Sequence, residues 1–189
     1  MAVILLMATV VILAAAVAYP LIERAAGRAP LTADDVLGSS PEPSGSTGEA
    51  GGDIPAGAAG PNDDIPAITR LDPALRAAVR HAADDAHAAG IDLWITSGWR
   101  SPAYQQSLYD EAIRTKGLAE ARRTVATPET SQHVSGNAVD IGPTEGAYWL
   151  IQHGTDYGLC QVYANEIWHF ELLTTPGGTC PPMHDDAES

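Results

Sequence analysis

Residues 131–140 read Ser-Gln-His-Val-Ser-Gly-Asn-Ala-Val-Asp, and residues 166–169 read Glu-Ile-Trp-His. Two imidazoles and two carboxylates, held in two short clusters, are the side chains of which catalytic zinc sites are made. Such sites take three protein ligands from His, Asp, Glu and Cys, leave the fourth tetrahedral position to water, and keep an unligated carboxylate nearby to move protons. His133, Asp140 and His169 are the expected ligands, and Glu166 the expected base. Glu166 lies three residues before His169, and in a regular strand that odd spacing would send the two side chains to opposite faces. Glu166 must therefore sit in a turn ahead of the strand proper. Around these residues, Gly136 lets the backbone bend beside His133, and Ser131 offers a hydroxyl two residues before it. Arg100 follows Ser97-Gly98-Trp99, a tight turn of the kind that presents functional groups. A fixed cation there can oppose an oxyanion or a substrate carboxylate.

The elements that must position these residues are legible as α+β. Asp72 as N-cap and Pro73 at the first helical position open a helix whose Leu75, Ala78, Val79, Ala82 and Ala86 share one face until Gly90. His81 and His87 within it are six apart and read as surface residues. Ile91 to Thr96 is a strand, and a second helix starts at Ser101-Pro102 and ends near Gly117. Residues 118–136 pass from helix-forming to turn-forming composition, with Thr127-Pro128-Glu129-Thr130 as a loop approaching the site. Asn137 to Ile141 should be a strand with Val139 and Ile141 towards the core and Asp140 on the other face. A third helix runs from Glu145 to Asp156, and Leu159–Tyr163 and Ile167–Leu172 form two antiparallel strands. His153 and His184 lack matching partners and are not expected as ligands. Trp168, beside His169, is expected to pack behind the ligand and fix its orientation.

Charge and composition narrow the classes. The chain has 10 basic and 24 acidic side chains, a net charge of −14, which argues against nucleic acid as a partner because phosphate binding is dominated by Lys and Arg. Ala2 to Tyr19 carries no charge and suits a secretory or membrane-anchoring segment. Residues 1–22 are expected as signal peptide or anchor, 23–64 as a flexible Gly/Pro/Ser-rich linker, 65–183 as the catalytic domain and 184–189 as an acidic tail. The protein is then extracytoplasmic and monomeric, touching membrane only through its N-terminal segment. The two cysteines, Cys160 and Cys180, are expected to form a disulfide in that compartment.

Four stretches together resemble the VanY-type D-alanyl-D-alanine carboxypeptidases: Ser97-Gly98-Trp99-Arg100-Ser101 with Gln105, Ser131-x-His133-x-x-Gly136-x-Ala138-x-Asp140, Tyr157-Gly158-Leu159, and Glu166-x-Trp168-His169. The resemblance implies a zinc D,D-peptidase fold related to hedgehog domains, with a small antiparallel sheet flanked by helices. It implies Zn²⁺ on His133, Asp140 and His169, Glu166 as base, Arg100 as transition-state or substrate stabiliser, and Ser131 and Gln105 in the substrate pocket. The substrate it implies is a peptidoglycan stem peptide ending in D-Ala-D-Ala. Trp99 stands where the family has Tyr or Phe, Ser135 where it has Thr, and Pro occupies position 102, departures that leave the metal set and base intact. Two alternatives stay open: an endopeptidase cutting L-Ala-D-Glu or a cross-link, and a non-catalytic, zinc-stabilised wall-binding module. The presence of both Glu166 and Arg100 disfavours the module.

Overall fold

A computed structural model describes residues 45–189. The apolar segment 2–19 lies outside the described residues. Among those residues no helix is long and apolar enough to cross a membrane.

A short helix α1 (Pro66–Thr69) leads into α2 (Pro73–Ala88). Asp72 caps α2 by accepting from the amides of Ala74 and Leu75 at 2.9 and 3.0 Å, satisfying two donors that the first turn leaves free. Leu75, Val79, Ala82 and Ala86 are all buried, the single face that the spacing predicts. Strand β1 (Trp94–Ser97) follows, then α3 (Pro102–Lys116), α4 (Leu118–Thr124) and the one-turn helix α5 (Gln132–Ser135). Strand β2 (Ala138–Gly142), helix α6 (Thr144–His153), a 3-10 turn (Gly154–Tyr157), β3 (Leu159–Gln161) and β4 (His169–Leu172) complete the order.

The four strands form one antiparallel sheet in the order β1-β2-β4-β3. Its register decides where the chemistry goes. Val139 faces Phe170 across the β2–β4 pair, and both are fully buried in the core with Leu75, Val79 and Leu150. One residue along, Asp140 pairs with His169, so both point to the opposite face, and Ala138 pairs with Glu171 on that same face. A slip of one residue would turn Asp140 into the hydrocarbon core, so burial of Val139 and Phe170 fixes the site's register.

The first boundary differs from expectation. The linker was expected to reach residue 64, but Ile54 and Ala59 belong to the hydrophobic core, and Ala59 exchanges backbone hydrogen bonds with Ile95 of β1 at 2.9 Å. Edge strand β1 leaves one row of backbone groups unpaired, and the Gly/Pro-rich segment covers part of it. The acidic tail is also docked: His184 bridges Tyr163, and Asp186 accepts from Arg123 Nε at 2.9 Å.

Cys160 on β3 and Cys180 form a disulfide across a sequence separation of 20. Closing a loop of that size removes unfolded-state entropy equivalent to about 3 kcal/mol in the chain-entropy model. The Cys160→Ser/Cys180→Ser double variant is therefore expected to lose about 3 kcal/mol of stability in urea denaturation. An unchanged midpoint would show that the bridge does not constrain the unfolded chain.

Candidate active site

Three elements are fastened together before any ligand is considered. His133, on α5, donates from Nδ1 to the carbonyl of Gly98 at 2.7 Å, and the amide of Arg100 donates back to the His133 carbonyl at 3.1 Å. The turn after β1 and the helix bearing His133 are thus one unit. Gly98 must be glycine there, because an added Cβ would collide with the Ala67 carbonyl. Gly136 ends α5 at φ 75°, in the left-handed region, with its carbonyl accepting from the Asp72 amide at 2.8 Å.

His169 donates from Nε2 to Glu171 Oε1 at 3.3 Å. With Nδ1 of His133 and Nε2 of His169 carrying the donated protons, the remaining ring nitrogens of the neutral tautomers present lone pairs. Those two nitrogens and Asp140 Oδ1 form a nearly equilateral triangle. His133 Nε2 to His169 Nδ1 is 3.3 Å, His133 Nε2 to Asp140 Oδ1 is 3.3 Å, and His169 Nδ1 to Asp140 Oδ1 is 3.2 Å. With both imidazoles neutral in these tautomers, three acceptors lie mutually close with no donor among them, the arrangement that a cation site requires. A tetrahedral zinc with bonds of about 2.0 to 2.1 Å has ligand–ligand edges of about 3.3 to 3.4 Å, so the triangle fits that ion. All three residues are buried.

The electrostatics of the metal-free protein show the same demand for positive charge. Burial alone would lower His169, but its hydrogen bonds to Asp140 and Glu171 overcome this and lift it to about 9. Burial likewise opposes ionisation of Asp140, yet the charges and hydrogen bonds of His133 and His169, with Arg100 beside it, hold that carboxyl well below the usual range. Burial and the Arg100 charge lower His133. Glu166 is pushed up, first by burial and, against the pull of His169, by Asp140.

Glu166 does lie in the turn ahead of β4, with Oε2 at 4.0 Å from His169 Nδ1. That is too long for a direct hydrogen bond and short enough for both groups to reach one solvent molecule. Arg100 sits across the site: Nε donates to Ser97 Oγ at 2.8 Å, Nη1 to Gln105 Oε1 at 3.0 Å and Nη2 to Asp140 Oδ2 at 2.8 Å. Of the five guanidinium N–H donors, two remain.

These groups line a cleft of ≈ 300 Å³, walled by α3 on one side and by Tyr163, Glu166 and Trp168 on the other. Ser131 lines it too. Gln105 touches the cleft, but it is 1% exposed and both ends of its amide are engaged, Nε2 donating to the Ala126 carbonyl at 2.7 Å. Trp168 corrects an expectation: it is 44% exposed at the cleft mouth instead of packing behind His169. Its place in the turn before β4 lifts the ring off the sheet. The ring of Tyr163 stands beside His169, centroids 5.0 Å apart. His153 stacks on Trp149 and His184 faces Tyr163, both outside the triad. Glu171 was missed in the sequence, although the spacing of two from His169 on a strand puts it on the same face.

A family model described as VanY, D-alanyl-D-alanine carboxypeptidase, matches residues 68–174, more than half of the chain. A D-alanyl-D-alanine carboxypeptidase of Enterococcus faecalis is 29% identical over 136 residues, covering 58% of this chain and 51% of that protein. The chain thus spans about half the length of that relative. Among solved structures, a mutant of the vancomycin-resistance D,D-pentapeptidase VanY in complex with Zn(II) is similar with a TM-score of 0.50 and 27% identity, covering 53% of this chain and 71% of that one. VanYB in complex with D-alanine-D-alanine gives a TM-score of 0.51 and 27% identity over 53% of this chain and 70% of that one. With the four-stranded antiparallel sheet and flanking helices, these matches identify the chain as a member of the VanY family of D-alanyl-D-alanine carboxypeptidases.

Proposed function

We propose that the protein is an extracytoplasmic zinc peptidase that trims peptidoglycan stem peptides, releasing the terminal D-Ala from a D-Ala-D-Ala end. The observation that supports this best is the triangle of three buried acceptors with the unligated carboxylate of Glu166 beside it. His133 Nε2, Asp140 Oδ1 and His169 Nδ1 would hold the ion. Zinc bound there supplies Lewis acidity, lowering the pKa of a coordinated water to roughly 7 and polarising the scissile carbonyl.

The remaining steps belong to the chain's own groups. Glu166 takes the proton from the attacking water and returns it to the departing amine. Arg100, fixed by three internal hydrogen bonds, turns its two remaining N–H donors to the oxyanion or to a substrate carboxylate, with no reorganisation at the moment of reaction. Gln105 acts through Arg100 as a positioning residue, since its own amide is engaged. Ser131 lines the pocket. Extracytoplasmic placement draws support from the apolar N-terminal segment of the sequence and from the disulfide.

Mass spectrometry of a pentapeptide stem incubated with the zinc-loaded protein tests this reading. Loss of one alanine, abolished by phenanthroline and restored by zinc, is expected. Cleavage between L-Ala and D-Glu, or within a cross-link, would assign the endopeptidase alternative. Zinc binding with no product from any stem would leave a wall-binding module.

A further inference from the structure

The cationic side chains of this chain are nine arginines and a single lysine. That lysine, Lys116, lines the cleft. Among the described residues Arg100 is the other Lys or Arg side chain there, and its charge is already matched by Asp140 at 2.8 Å. Lys116 makes no ion pair among the described residues.

Its surroundings give that free ammonium a purpose. Glu111, Asp140 and Glu166 line the same cleft, and the whole chain carries a net charge of −14. An anionic substrate approaching such a surface is repelled unless a cation receives it. Lys116 is the last residue of α3, on the stripe of that helix (Leu108, Ala112, Thr115) that walls the cleft. A rigid helix thus holds its stem, while the ammonium is exposed. Its charge also reaches Glu166 on the facing wall.

We infer that Lys116 receives a substrate carboxylate and sets the preference of the cleft for carboxylate-bearing peptides. This rests on the proposed hydrolysis of stem peptides. Such a stem offers two sources of that chemistry, its C-terminal carboxylate and the free carboxylate of its D-Glu residue. Lys116 contacts no reacting atom, so its contribution is uniform binding, felt in KM and not in kcat.

The test compares the wild type with Lys116→Met and Lys116→Arg on three pentapeptides: unmodified, with the C-terminus as a primary amide, and with the D-Glu carboxylate as an amide. On the unmodified stem, Lys116→Met is expected to raise KM about tenfold, with kcat within about twofold, and Lys116→Arg to restore most of the loss. The salt dependence of KM should flatten in the Met variant. The amide that makes wild type and Lys116→Met alike identifies the carboxylate received. The same peptides are titrated into both proteins by tryptophan fluorescence, with Trp168 in the cleft as reporter. If no stem turns over, the proposed activity fails, and this binding arm still decides Lys116. An ammonium at a helix C-terminus also complements the helix dipole, a role that would show in thermal stability alone. Equal KM and equal dissociation constants for wild type and Lys116→Met on all three peptides overturn the inference.

Discussion

Replacing Glu166 by alanine is expected to lower kcat by about 10²–10⁴-fold, the usual range for removing a positioned general base, while zinc content stays at that of the wild type. The separation of the two effects follows from the geometry. Glu166 Oε2 stands 4.0 Å from His169 Nδ1 and is not one of the three mutually close acceptors, so its removal leaves the triangle complete. In the proposed mechanism both proton transfers, from the nucleophilic water and to the leaving amine, pass through this one carboxylate, and the three residues of the triangle are not free to substitute. His133 and His169 have both ring nitrogens engaged, and Asp140 is held well below the usual carboxylate range with Arg100 on its second oxygen. The measurement is D-Ala release by mass spectrometry beside metal analysis of the same sample. The acid limb of the pH–rate profile should vanish in the variant, because the carboxyl it reports is gone. Full activity of Glu166→Ala on the pentapeptide would falsify the assigned base.

Much of this site was legible because its parts are local. Asp72-Pro73 announces a helix start, Gly136 a left-handed turn, and the alternation Val139, Asp140, Ile141 a strand with one polar position facing out. The relation between clusters was not legible in the same way. Nothing in the spacing of residues 140 and 169 says that they are cross-strand partners. That comes from the β2–β4 register, which the pairing of Val139 with Phe170 in the core imposes. The packing of residues 45–61 was hidden by their composition, since Gly and Pro mark a segment as loop and cannot say that an edge strand waits to be covered. Trp168 misled for a related reason: an aromatic beside a buried histidine reads as core, but Trp168 is the last residue of the turn and the strand begins only at His169. Glu171 shows the reverse, a residue that strand periodicity alone would have placed beneath His169.

His169→Ala is expected to lose zinc and turnover together, with metal affinity falling on the order of 10²–10³-fold for the loss of one ligand. Its imidazole hydrogen-bonds two carboxylates, Asp140 at Nδ1 and Glu171 at Nε2. The variant therefore loses one lone pair of the proposed ligand set and the ring that holds both carboxylates in place. Wild-type pH dependence gives an independent readout of the same residue. In the metal-free protein His169 is raised to about 9, so at neutral pH it carries a proton that a metal ion must displace. Apparent zinc affinity should therefore rise by about tenfold per pH unit from this group until pH reaches its pKa, and level off above it. In His169→Ala that dependence should be absent while the residual affinity stays low. Competition against a chromophoric chelator across the pH range measures both slopes. Undiminished zinc binding by His169→Ala would remove His169 from the ligand set.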